Sequence, residues 1–121
     1  MTITITKDRI IKDIQREFNQ EFPYLKIEFF KKGFQNVRLA NKETGLSREM
    51  MVGLNTMGGT SLDGLQITGE MTVKELERKC EEALGLSVHV YRKSGNLWLE
   101  TTITDNWTLN QQNETGRQIS L

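Results

Sequence analysis

The sequence predicts an α+β domain: a mainly antiparallel sheet with two helices on one face, ferredoxin-like or related. Three observations carry this reading. A capped amphipathic helix follows a short strand at 66–84. Two alternating segments joined by "SGN" follow that helix as a hairpin. A looser copy of the same strand–helix–hairpin order stands at the front of the chain.

In the central unit, Thr72 precedes Glu75 by three residues, the spacing of a capping box. Val73, Leu76, Cys80, Ala83 and Leu84 then recur on one helical face. Lys74, Glu77, Arg78, Glu81 and Glu82 take the wet side, and Gly85 supplies a stop. Leu86, Val88 and Val90 alternate with Ser87, His89 and Tyr91, the pattern of a half-buried strand. After the turn, Leu97, Leu99, Thr101 and Ile103 are expected to form the apolar return row. Trp98, Glu100 and Thr102 then lie opposite them.

At the front, Ile3 and Ile5 alternate with threonine as a short strand. A helix is expected from near Thr6 or Asp8, with Ile10, Ile11, Ile14, Phe18 and Phe22 inward. Pro23 ends it, because the residue before a proline leaves the α region. Leu25, Ile27 and Phe29 alternate next, and "NVRLAN" reads as the return strand after Gly33. Laid over the central unit, Ile11, Ile14, Phe18 and Phe22 fall on Val73, Leu76, Cys80 and Leu84. This pattern suggests an internal duplication.

The chain is read as one domain over 1–121, with repeat units 2–40 and 66–103. A loop-rich insert lies at 41–65, and a short C-terminal helix is expected at 106–115, capped at Asp105 or Thr108 and stopped by Gly116. Trp107 would anchor that helix and cover Trp98.

Sixteen basic and sixteen acidic residues cancel. That argues against a general nucleic-acid or anionic-membrane surface. One cysteine excludes an intrachain disulfide and a cysteine-based metal site, and it fits a reducing cytoplasm. The start "MTITITKDR" lacks the pattern of a signal peptide, and no apolar run approaches a membrane span. No cofactor and no metal are expected.

The candidate residues fall in two groups. His89, Tyr91, Trp98 and Glu100 share the outer sheet face, with Lys26, Glu28 and Arg38. They suit a binding or scaffold module acting on a protein partner or a second copy. Lys31 and Lys32 at one hairpin tip, and Arg92 and Lys93 at the other, suit single-stranded nucleic acid as an alternative. His89 as a general base for a small ligand is a third reading, but no carboxylate is placed beside it by spacing. "NTMGGTSLDG" lacks the lysine of a phosphate loop. The pieces "RKSGNLW" and "TDNWTL" resemble segments of small conserved bacterial proteins, a likeness that carries over no residue role. Helix and hairpin are also similar to pieces of the β-grasp group, but the chain ends "RQISL", without that group's Gly-Gly tail.

Overall fold

A computed structural model describes residues 2–31, 52 and 64–120. The return strand expected at "NVRLAN", the residues Lys32 and Arg38 and the glycine-rich loop lie outside the described residues. The elements run β1 (Ile3–Ile5), α1 (Ile11–Glu21), β2 (Leu25–Lys31), β3 (Leu65–Ile67), α2 (Val73–Leu84), β4 (Leu86–Ser94), β5 (Leu97–Glu100) and α3 (Leu109–Ile119). Among the described residues all strand pairing is antiparallel, so the α+β class holds.

Two sheet pieces result, β1–β3 and β2–β4–β5. Ile3 pairs with Ile67 and Ile5 with Leu65; Ile27 pairs with Val90 and Phe29 with Val88. Each strand–helix–strand segment, β1–α1–β2 and β3–α2–β4, gives one strand to each sheet piece. The inward faces of α1 and α2 meet one core, with Ile11, Ile14, Phe18 and Phe22 beside Val73, Leu76, Cys80 and Leu84. Leu25, Ile27, Phe29, Leu86, Val88 and Val90 close it from the sheet side. Burying this apolar surface is the main favourable term in folding.

α2 starts and stops as its sequence dictates. The Thr72 hydroxyl accepts from the Glu75 amide, and Glu75 accepts from the Thr72 amide. Gly85 turns the chain at φ 66°, a conformation only glycine takes without strain. α1 starts later than expected. Thr6 hydrogen-bonds Asp8, and the Arg9 amide donates to the Thr6 carbonyl. The two candidate caps thus spend themselves on a turn, and Ile10 precedes the helix without a side-chain cap.

α3 is the C-terminal helix expected at 106–115, shifted to Leu109–Ile119. Thr108 and Gln111 form a second capping box. Segment 105–110 lies antiparallel to 69–74: the Lys74 amide donates to the Asp105 carbonyl, and the Leu109 amide to the Met71 carbonyl. Gly116 does not stop the helix. It is buried where α3 crosses β4, and a Cβ there would stand 2.8 Å from the Tyr24 Cβ and 3.1 Å from the Arg92 Cγ. Close approach, rather than termination, accounts for this glycine, and the helix continues to Ile119.

The hairpin turn has Gly95 at φ 62° in its first central position, with no positive φ at Asn96. A two-residue loop with glycine first matches the twist of the flanking strands. The apolar row expected on β5 does not reach the core. Leu97 is 65% exposed, Leu99 41% and Ile103 96%, while Thr101 is buried. β5 pairs only with Tyr91–Ser94, beyond the stretch of β4 that meets the buried cluster. Alternation names a face, but among the described residues Leu97 and Leu99 overhang the part of it that is covered.

Candidate functional site

Register places the outer-face residues together. Paired residues in an antiparallel ladder share a face. Lys26 pairs with Tyr91, Tyr91 with Glu100, and Lys93 with Trp98. The Lys26 ammonium sits 5.2 Å from the centroids of both the Tyr91 and Trp98 rings. A cation over an aromatic face is attracted by the ring quadrupole. Tyr91 is half-buried, and its phenol is pushed up to about 12, first by burial and then by Glu28 and Glu100. It therefore stays a neutral donor at any ordinary pH. A groove of about 400 Å³ beside this cluster is lined by Gln15, Arg16, Asn19, Lys26, Glu28 and Trp98.

The two long edges of this sheet are treated differently. On β2, Gln15 and Asn19 of α1 donate side-chain amides to the Ile27 and Leu25 carbonyls at 3.0 and 2.8 Å. α1 thereby satisfies the acceptors that a second strand would use. On β5 no strand lies outside among the described residues. The outward groups follow from alternation. The Lys93 amide donates towards β2, to the Tyr24 carbonyl, and the Val90 carbonyl accepts from Thr101 on the β5 side. Even-numbered β4 residues therefore face β5. Arg92 and Ser94 bond with their partners Leu99 and Leu97, so the main-chain groups of Trp98 and Glu100 point away from the sheet.

The sequence candidates separate on this frame. Tyr91, Trp98 and Glu100 come together. His89 shares their face but is a correction to the expected wet position: it is 9% exposed, with the Phe30 ring edge-on at 5.4 Å. β4 is buried on both faces from Leu86 to Val90, so period-two alternation there does not mean one wet side. Trp98 is not covered by the C-terminal helix. Trp107 stacks instead on the Arg92 guanidinium, 5.6 Å from ring centroid to Cζ, on the helix-covered face.

Lys32 lies outside the described residues, and the other three cations are not gathered. Lys31 pairs with Leu86 at one end of β4, whereas Arg92 pairs with Leu25 at the other. Antiparallel pairing of β2 and β4 sends the end of β2 and the β4–β5 turn to opposite ends of the sheet. Arg92 is turned inward, donating to Gln112 at 2.8 Å. The Lys93 backbone is tied at both ends, its carbonyl accepting from Ser120.

One group escaped the sequence reading. Glu77 is half-buried beside Asp105 in a cleft of about 320 Å³, also lined by Lys74, Arg78 and Glu81. Burial, and then the Asp105 charge, push its carboxyl up to about 7. Nothing in the spacing of residues 77 and 105 signals this meeting. The backbone bond from Lys74 to Asp105 creates it. A carboxyl with a raised folded-state pKa holds its proton more tightly when folded. Its stabilising share is complete below the ordinary carboxyl range and is lost as pH rises through 7. Glu77→Gln should therefore match the wild type in urea unfolding at acid pH. At pH 8 it should exceed it by about 1 kcal/mol, after discounting for screening of a partly exposed group. A wild type that loses no stability between the two pH values would contradict this.

Among the described residues, no group of three or more His, Cys, Asp or Glu could hold a metal ion, and no helix is long and apolar enough to cross a membrane. Cys80 is a free, buried thiol, and burial raises its pKa. Comparison with protein-family models, curated proteins and solved structures finds no match to this chain.

Proposed function

We propose that the chain is a small binding module acting through protein contacts, with β5 and the adjoining outer face as its recognition surface. One observation carries the reading: Leu97, Trp98, Leu99 and Glu100 are all exposed on a strand whose outward main-chain groups meet no other strand among the described residues. A strand that is apolar on both faces and open at its edge is a template for another extended chain. Main-chain bonds at Trp98 and Glu100 supply affinity. Leu97 and Leu99 on one side, with Trp98 over Lys26 on the other, supply side-chain preference. The same reading takes the two strand–helix–strand segments as copies of one unit in a ferredoxin-like or related sheet. It also places the protein in the reducing cytoplasm, where Cys80 stays a thiol.

Selection from a displayed random-peptide library tests this. The wild type should enrich extended peptides with alternating apolar residues. Glu100→Pro, which removes an outward amide and spares the β4 ladder, should lose them. Equal enrichment by both proteins would refute recognition through this edge.

A further inference from the structure

We infer that β5 pairs with β5 of a second copy about a two-fold axis through Leu99, giving one continuous antiparallel sheet across the dimer. This names the partner of the surface proposed above and rests on that reading. The outward main-chain groups belong to Trp98 and Glu100. A two-fold axis perpendicular to the sheet preserves its faces, so paired residues must be both odd or both even. Centring on Leu99 sets Trp98 against Glu100 of the second copy, and Glu100 against its Trp98. Each is a hydrogen-bonded pair exchanging two main-chain bonds. Leu99 meets its own counterpart in the closer, non-hydrogen-bonded position, and Leu97 lies next along the same face. The exposed leucines of both copies then form one stripe.

The charges agree with this register. Across the outer face, Lys93 and Trp98 of one copy continue into Glu100 and Tyr91 of the other, and then into its Lys26. Each cation neighbours an aromatic ring, and Glu100 faces Trp98 rather than another carboxylate. Centring on Trp98 instead would use Asn96, a turn residue, for its outer pairs. Leu97–Glu100 carries no lysine, proline or bulge, whereas α1 blunts the β2 edge. A net charge of zero removes long-range repulsion between copies.

The test is the mass of the full chain in solution, by sedimentation velocity and native mass spectrometry at high micromolar concentration. The expected wild-type mass is twice 14.0 kDa. Leu99→Lys and Leu99→Glu each place like charges opposite themselves at the axis and should be monomeric. Mixed in equal amounts, they should restore the dimer as a mixed pair. Because Leu99 is exposed, both variants should keep the wild-type circular dichroism, and at concentrations too low for the dimer they should also keep its melting curve. A register check follows by oxidation: Leu99→Cys should cross-link with itself and Trp98→Cys should not, with wild type as the control for Cys80. A monomeric wild type, a Leu99→Lys variant that stays dimeric, or preferential cross-linking of Trp98→Cys overturns the inference. A monomer that still selects peptides through β5 would overturn the self-pairing alone and leave the binding reading intact. Loss of both would remove the reading as well.

Discussion

Phe18→Ala should lower unfolding stability by about 3–5 kcal/mol, the usual cost of emptying a buried aromatic site. Phe18 is fully buried and is the largest such side chain among the described residues. Its ring lies 5.1 Å from that of Phe22 at 54°, a tilted pair that itself contributes. Phe18 sits on the last turns of α1 and Phe22 just past its end, on the helix whose Gln15 and Asn19 hold the β2 edge. The loss should therefore appear in two ways. Urea unfolding should shift to lower denaturant, and amide exchange along α1 and β2 should accelerate together. Phe18→Leu keeps most of the volume and should cost much less. If Phe18→Ala costs under about 1 kcal/mol, α1 does not seat on the sheet as described.

Arg92→Ala should cost about 2–3 kcal/mol, although its residue was expected at an exposed basic tip. Its guanidinium donates to the Gln112 side-chain carbonyl, and Gln112 is fully buried. The Gln112 amide in turn donates to the carbonyl and hydroxyl of Thr104 at 2.7 and 2.9 Å. Truncating Arg92 leaves a buried acceptor unpaired and removes the stem on which Gly116 and Trp107 rest. Leaving such an acceptor bare costs more than the bond was worth. Gln112→Met bares the Thr104 carbonyl in its turn, and its combination with Arg92→Ala should cost less than the sum of the two single changes, because the bond between them is lost only once. Urea unfolding of the two variants and their combination measures this coupling. Unchanged stability with weakened oligonucleotide binding would instead turn Arg92 outward and revive the nucleic-acid alternative.

These two residues show where sequence reading works. Phe18 belongs to a run with period 3.6, and the period alone places it inward. The Thr72–Glu75 spacing is likewise a local signal, because both partners of a capping box lie within one helical turn. Arg92 follows a strand of clear alternation, yet its role depends on Gln112, twenty residues later. No spacing rule links a strand arginine to a helix glutamine. His89 shows the reverse error. Alternation assigns it the face opposite Val88 and Val90, which is correct, but it cannot say that this end of the face is closed. On β5 the same rule predicts an inward leucine row, and the strand simply overhangs the core.

The sequence by itself determined the α+β class, the two amphipathic helices with their stops and the cap of α2, and the residues that share each sheet face. These features arise from backbone sterics and from periodicities read over a few neighbouring residues. The tertiary structure alone decided the opposite placement of Lys31 and Arg92, the burial of His89, the meeting of Glu77 with Asp105 and the open edge at β5. Each of these depends on which distant segment packs against which, and free energy gained over such separations leaves no mark in local spacing.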